Sequence, residues 1–344
     1  MATPFTMLDT ITREEINPMV IDTYFNNHPV FRRITKRPKF ITGGDVIEHP
    51  VQYAPNPDAG AWGGGYNTLP LNQHDFITKA RFNWAHYVVP QVYAETDKLK
   101  NMGPAEIVDL AESIAENAMD TLRDTLGKDL YKAGANNAAG YKTIDGLSGA
   151  LTYNGNPSVG AYGGIDRTSS SGTQSSYTGN AWWNGCVVAS NTGSRDFWVG
   201  NFDFSNASTT LSLEKMNQMF TALMVADDAP DLIVMSPKLF AKMWSLVQTN
   251  ERIPGGKETG EAGMRYILFN GTPVVPDPNI DDAGKVYFLN TKYIHWRPSK
   301  SSNFLSSGIR KPSRMRVVAS YIFWDGNMVV SNPRMNGLVT GFTA

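Results

Sequence analysis

Apolar and polar residues alternate in two stretches near the start of the chain, residues 45–53 and 74–84. Alternation with a period of two places every second side chain on one face of an extended strand. The apolar positions that share a face are Ile47, Val51 and Tyr53 in the first stretch and Phe76, Ala80, Phe82 and Trp84 in the second. The pattern therefore predicts a long antiparallel hairpin.

The connection between these strands, residues 54–72, is much longer than the roughly two to five residues that usually close a hairpin. It is rich in Pro, Gly and Asn and carries four large apolar side chains, Trp62, Tyr66, Leu69 and Leu71. Leaving such a side chain in water forgoes about 2 kcal/mol, and an isolated hairpin is only marginally stable. We therefore predict that the hairpin tip packs on another subunit.

Between Pro104 and Gly134, apolar residues recur at steps of three or four, as on one face of a helix. The positions are Ile107, Ala111, Ile114, Ala118, Leu122, Leu126 and Leu130. The pattern predicts one long helix that acts as a structural spine, with a bend at Gly127.

After a loop-rich stretch that ends near residue 210, helix and strand patterns alternate. They predict an amphipathic helix from Leu213, a buried strand at DLIVMSP, a helix from Pro237 to Asn250, and strand runs at MRYILFNGTPVVPD and KVYFLNTKYIHWR. The last segment predicts a hairpin that turns at Asp325-Gly326-Asn327, followed by a short strand.

The charge balance bears on nucleic-acid binding. The 344 residues include 31 Lys and Arg against 32 Asp and Glu, a net charge of −1, so the chain has no cationic field to hold DNA by phosphate neutralisation.

The single cysteine, Cys186, excludes an intrachain disulfide. We find neither a signal peptide nor an apolar run that approaches the roughly 18 residues of a membrane span, and we expect no membrane association.

Motifs for catalysis or cofactor binding are missing from the sequence. The five histidines form no i,i+4 pair, and one cysteine cannot build a zinc cluster. Cys186 has apolar neighbours, which indicates a buried thiol. Asp227-Asp228 and Asp281-Asp282 are typical of turns, although paired carboxylates for glycoside hydrolysis stay open. We predict no catalytic, cofactor-binding or metal-binding residue, and no enzymatic activity.

Two further features allow more than one interpretation. The stretch FRRITKRPKF holds Arg32, Arg33, Lys36, Arg37 and Lys39 without an acid. It indicates a solvated or salt-bridged face or, alternatively, a contact with a partner's acidic surface or with DNA. The pair Trp182-Trp183 next to a polar tract suggests glycan stacking. Adjacent strand residues point to opposite faces, however, which favours a division between core and interface.

In order and spacing, these segments resemble the major capsid protein of tailed bacteriophages, with its Hong Kong ninety-seven type fold. The resemblance covers nearly the whole chain and rests on HPVFRRI, GGDVIEHPVQY, RFNWAHYVVP, the long helix, YGGIDR followed by WW, APDLIVMSPKLF, GTPVVPDPN with KVYFLNTKYI, and WDGNMVVSNPRMNGLVTG. It implies an α+β fold. The implied parts are an N-terminal arm (1–38), an extended hairpin loop (39–86), a peripheral domain with the spine helix (87–135), an axial domain (136–309) with an inserted loop near 168–180, a peripheral hairpin (310–333) and a C-terminal strand returning to the axial domain (334–344).

By this resemblance the chain is a structural protein of the virion that assembles as pentamers and hexamers around double-stranded DNA, without sequence-specific DNA binding. The host cytoplasm is the expected place of assembly. Since no leader of roughly a hundred residues precedes the arm, a separate scaffolding protein is expected, together with a portal, and the presence of a decoration protein stays open. The expected intersubunit contacts are Arg32, Arg33, Lys36, Arg37, Trp62, Tyr66, Leu69 and Leu71. The alternatives are an encapsulin-like shell and a soluble glycan-binding protein.

Overall fold

The structure is a computed structural model. It describes residues 28–56, 58–61, 72–100, 110–134, 142–151, 161–166, 183, 202–203, 209–225, 227–249, 267–280, 284–308, 310–312, 315–340 and 342–343. Several features of the sequence analysis lie outside these residues, among them most of the N-terminal arm, the apolar tip at 62–71, the inserted loop near 168–180, and Cys186.

Helices and strands alternate along the described chain in an α+β arrangement. The helices are α1 (Pro29–Thr35), α2 (Glu95–Lys100), α3 (Leu110–Asp129), α4 (Leu147–Leu151), α5 (Leu213–Leu223) and α6 (Pro237–Thr249). The strands are β1 (Ile47–Gln52), β2 (Ile77–Phe82), β3 (Ala85–Ala94), β4 (Ala161–Tyr162), β5 (Ile165–Asp166), β6 (Phe202–Asp203), β7 (Thr209–Thr210), β8 (Leu232–Met235), β9 (Ile267–Phe269), β10 (Thr272–Pro276), β11 (Val286–Leu289), β12 (Ile294–Ser306), β13 (Val317–Val330), β14 (Gly337–Thr340) and β15 (Phe342–Thr343).

The predicted hairpin is confirmed as the antiparallel pair β1 and β2. Ile47 lies opposite Phe82 and Val51 lies opposite Thr78, so the alternating apolar positions do share a face. At the base, Phe82 packs edge-to-face on Tyr162 with ring centroids 5.1 Å apart. The hairpin is therefore joined to the rest of the protein at its base.

A six-stranded sheet, in the order β6-β14-β11-β8-β10-β9, forms the second half of the fold. One face, which includes Ile233 and Phe288, packs on α5 and α6, and the other face, which includes Val234 and Tyr287, joins a second core with α3. Coverage on both faces explains why β8 and β11 are apolar at every position. The predictions of α5, β8 and α6 are confirmed.

Two predicted strand runs are each divided in the structure. MRYILFNGTPVVPD forms the antiparallel pair β9 and β10, because Asn270 and Gly271 take positive φ angles of 48° and 81° that suit a tight hairpin turn. KVYFLNTKYIHWR forms β11 and β12, which belong to different sheets. A short 3₁₀ helix, Thr291–Tyr293, separates them, and the Asn290 side chain caps it.

The turn predicted at Asp325-Gly326-Asn327 is wrong, since β13 runs without interruption from Val317 to Val330 in the centre of the three-stranded sheet β12-β13-β3. A Cβ at Gly326 would lie 2.6 Å from the Arg297 carbonyl oxygen, so glycine permits close packing here rather than a turn. Asn327 is fully buried, and its amide donates to the Asn83 carbonyl and to Asp145 at 2.8 Å each. Its polar side chain is satisfied inside the sheet.

The long helix is confirmed over α3, with Ala118, Leu122 and Leu126 buried as predicted. Its Gly127 has a packing role, because a Cβ there would lie 2.5 Å from the imidazole of His28. This buried histidine contacts Asp124 through Nε2 at 3.0 Å and accepts from Asn279 at Nδ1, also at 3.0 Å. The end of the predicted arm thus belongs to the core.

Among the described residues, no helix combines the length and the apolar character that crossing a membrane would require.

Candidate intersubunit surfaces

The hairpin loses burial with distance from its base. Ile47, Ala80 and Phe82 are almost completely buried, whereas Phe76 and Ile77, near the start of β2, are 46% and 58% exposed. Beyond them, Asp58 accepts hydrogen bonds from His74 at 2.8 Å and Asn72 at 3.2 Å, and the His74 contact is the main cause of a lowered pKa at Asp58. These contacts join the two segments of the chain that lead to the tip.

The four apolar residues of the tip, Trp62, Tyr66, Leu69 and Leu71, lie outside the described residues, so their contacts remain a prediction.

The opposite face of the hairpin base is charged. Glu48 pairs with Lys79 at 2.8 Å and with Arg81 at 3.2 Å, and the Lys79 hydrogen bond lowers the pKa of Glu48. Neighbouring residues on a strand point to opposite sides. The hairpin therefore has one apolar face toward its own core and one charged face toward the outside.

The predicted basic contact residues differ in their surroundings. Arg33 donates to Asp231 at 3.1 Å, and Asp231 also accepts from the Thr291 backbone N–H at 2.9 Å, so this cation attaches α1 to the six-stranded sheet. Arg32 and Arg37 are exposed, and neither forms an ion pair with a described residue. Lys36 is exposed as well. The salt-bridged interpretation thus holds for Arg33.

A third surface, missed in the sequence analysis, is the outer face of the three-stranded sheet. Val88 and Val92 of β3 are 53% and 54% exposed, and Leu305 of β12 is 51% exposed. Val88 and Leu305 both lie opposite Phe323 of β13, so they share one face. We call Val88, Pro90, Val92, Leu305, Tyr321 and Phe323 the apolar sheet face.

The sequence of β3 holds a signal for this surface. In AHYVVPQVYA, Tyr87 and Val89 turn toward the core while Val88 and Val92 turn away, so apolar residues occupy both faces. A strand with apolar residues on both faces is usually packed against other parts of the protein on both sides. In this sheet the core covers only one face.

Trp183 is 1% exposed, and its indole N–H donates to the Tyr162 carbonyl at 2.8 Å. Its ring belongs to the core and offers no open face for a sugar. Trp182 lies outside the described residues. A cleft of about 370 Å³ borders Trp183, and its wall includes His49, Tyr53, Tyr293 and Arg334.

The buried titratable groups that we find are engaged in structural hydrogen bonds. Tyr131 donates to Asp277 at 2.6 Å, and burial followed by the Asp277 charge raises its pKa. Tyr87 donates to Asp129 at 2.7 Å, and its pKa is raised mainly by burial. In the described part of the chain, no three His, Cys, Asp or Glu side chains are grouped to hold a metal.

No family model and no curated protein sequence matches the chain. Solved structures match it over almost its full length. A chain of the cyanophage A-1(L) capsid superposes with a TM-score of 0.64 at 14% identity, covering 100% of both chains. A capsid chain of the native GTA particle gives 0.60 at 13% identity, covering 96% of each chain.

An encapsulin from Synechococcus elongatus, solved as the holo-SrpI complex, superposes with a TM-score of 0.57 at 8% identity, covering 99% of this chain and 96% of that chain. At such low identities the likeness concerns the fold. The chain therefore has the Hong Kong ninety-seven type fold that the sequence predicted, as do these shell proteins.

Proposed function

We propose that the chain is a major capsid protein, a structural and non-enzymatic subunit that assembles as pentamers and hexamers into the icosahedral head of a tailed bacteriophage around double-stranded DNA. The observation that carries the proposal is the combination of a shell-protein fold with apolar surface that the chain itself leaves uncovered. Phe76 and Ile77 on the hairpin and Val88 and Val92 on the sheet are such positions.

These surfaces fit a subunit that completes its packing with neighbours. A single exposed apolar side chain needs no explanation, but a contiguous apolar face on a soluble protein marks an interaction site. The apolar sheet face is of this kind. In a shell each subunit makes several moderate contacts whose avidity accumulates.

The charge balance supports enclosure of DNA without specific binding. A net charge of −1 supplies no long-range attraction for phosphate. Exposed cations such as Arg32 and Arg37 then serve contacts with an acidic surface of a neighbouring subunit. We further propose a separate scaffolding protein, a portal and a decoration protein as partners, and the virion as the final location.

A second candidate is the shell of an encapsulin-like compartment, favoured by the nearly complete overlap with the SrpI encapsulin. The two kinds of shell differ in what they enclose. Particles that protect DNA from nuclease support the phage head, whereas particles that enclose a specific protein support the compartment.

Particle size tests both shell functions. The full chain, purified alone and after coexpression with a candidate scaffolding protein, is measured by sedimentation velocity and negative-stain electron microscopy. Rings of five or six subunits or closed shells support the proposal. A 37.9 kDa monomer under both conditions, together with saturable sugar binding, supports a glycan-binding protein instead.

The tip is tested by the double substitution Trp62→Ala and Leu69→Ser. We expect a folded subunit and a reduced yield of particles, since buried aromatic anchors carry much of an interface's binding energy. The control is Trp62→Phe with Leu69→Met, which keeps the apolar area. A wild-type yield from the first variant contradicts the tip contact.

A further inference from the structure

Four basic side chains meet where the base of the hairpin lies against β12. Arg297 Nη2 lies 3.2 Å from His49 Nδ1, and Lys39 Nζ lies 3.4 Å from His295 Nε2. The two imidazole centroids are 6.1 Å apart, which brings both pairs together. We call Lys39, His49, His295 and Arg297 the basic cluster.

The backbone holds this cluster in place. His295 and Arg297 are two residues apart on β12 and therefore point to the same side of the strand. The Lys39 backbone N–H donates to the Trp296 carbonyl at 2.8 Å, which fixes the lysine beside them. Arg297 Nη1 also donates to the carbonyl of Glu48 at 3.2 Å, which ties β12 to the strand that carries His49.

No carboxylate in the described part of the chain forms an ion pair with the basic cluster. Glu48 precedes His49 on β1, but its side chain lies on the other side of the strand and pairs with Lys79 and Arg81. Among the described residues, therefore, none balances the positive charges of Lys39 and Arg297 through an ion pair.

In the described part of its lining, the cleft next to His49 adds no negative charge. Its titratable side chains, apart from His49 itself, are Tyr53, Tyr293 and Arg334. A carboxylate that contacts this lining, Asp228, is held by Lys292 at 2.9 Å and by the Tyr293 hydroxyl at 2.7 Å.

Both imidazoles face a cation as hydrogen-bond acceptors, which requires their neutral form. Burial and the charge of Lys39 lower the pKa of His295 to about 4, and burial and Arg297 lower the pKa of His49. Arg297 Nε is buried and has no hydrogen-bond partner in the part of the chain that the structure describes. A buried donor without an acceptor is costly, so this group favours the arrival of an acceptor.

We propose that the basic cluster is a binding site for an oxyanion, the chemistry that a free sulfate or phosphate shares with a carboxylate of a second copy of this chain. An oxyanion accepts charge-assisted hydrogen bonds from Lys39 and Arg297 and replaces the weaker imidazole acceptors. It also stabilises protonated His49 and His295, so binding takes up protons. The site does not depend on the proposed shell function.

Sulfate is the probe, because it keeps its double negative charge over the pH range used. The unassembled full chain is titrated by calorimetry at an ionic strength held constant with chloride. We expect saturable binding that is about tenfold tighter near pH 5.5 than near pH 8, because the bound anion raises the pKa of both imidazoles.

Lys39→Gln removes an exposed cation of the cluster and is expected to weaken sulfate binding about tenfold. Lys79→Gln is the matched control, since this lysine lies on the hairpin but pairs with Glu48 outside the cluster. We expect it to leave the affinity unchanged. Absence of saturable binding near pH 5.5, or an equal loss in both variants, overturns the proposal.

A second titration with assembled particles identifies the source of the oxyanion. Binding to the free chain but not to particles assigns the site to a carboxylate of a neighbouring copy. Binding to both assigns it to a free anion. If no particles form even after coexpression with a scaffolding protein, the proposed shell function fails, while the titration of the free chain still decides whether the site exists.

Discussion

The six-stranded sheet and the β1–β2 hairpin obtain their stability in different ways. Val234 and Phe288 of the sheet are 0% exposed, and each lies in a core on one of the two sheet faces. In the described part of the hairpin, the almost completely buried residues lie at the base, and Ile77 is 58% exposed. The sheet completes its packing within the chain, whereas the hairpin leaves apolar area exposed.

The largest effect on folding is expected in the sheet. Phe288→Ala removes a fully buried ring and should lower the free energy of unfolding by about 3–5 kcal/mol, through lost burial and a residual cavity. Urea denaturation of the unassembled subunit measures it. A loss below about 1 kcal/mol would mean that the sheet core is less tightly packed than the comparison requires.

The end of the predicted arm resembles the six-stranded sheet in this comparison, because it is packed within the chain. Gly127→Ala places a methyl group against the His28 ring and should cost about 1–3 kcal/mol of stability, as overpacked sites do. Combining it with His28→Ala removes the clash. The double variant should therefore lose less than the sum of the two single variants, and strict additivity would contradict the contact.

Sequence patterns predicted the elements whose periodicity is uniform. The hairpin followed from alternation, α3 followed from a repeat of three or four residues, and β8 followed from a short apolar run. Each of these signals is local, because it depends on which face of the same element is buried. The fold itself was predicted from the order of the segments rather than from any one of them.

Predictions failed where distant residues decide the structure. Asp325-Gly326-Asn327 has the composition of a turn, but the close approach of β12 at Arg297 requires the glycine and Asn327 bonds Asp145, 182 residues away. Arg33, whose subunit contact stays a prediction, bonds Asp231, 198 residues away, and no local pattern indicates that pair. The basic cluster likewise joins residues of distant segments, so no sequence motif marks it.

Substitutions in the hairpin test whether its exposed apolar area contacts a neighbouring subunit. Ile77→Ser changes an exposed position, so the free energy of unfolding should change by no more than about 0.5 kcal/mol, as at most surface sites. The yield of particles should fall if the hairpin packs on a neighbour. Thr78→Ser, at the next position of the same strand, leaves the Ile77 side chain in place and is the control. An unchanged yield of particles for both variants would mean that this part of β2 does not contact a neighbouring subunit.

The smallest expected effect is a pH dependence at the base of the hairpin. The pKa of His295 is about 4 in the folded chain, below the value of about 6.5 for an unperturbed histidine. Between these values the unfolded chain binds a proton that the folded chain excludes, so this residue lowers stability as the pH falls from about 6.5 to about 4. His295→Gln cannot take up that proton. In chloride buffers without sulfate or phosphate, the variant should therefore lose less stability than the wild type between about pH 7 and about pH 5. Equal losses would mean that the imidazole is protonated as easily in the folded chain as in the unfolded one, and that the hairpin base is more open to solvent than its packing against β12 indicates.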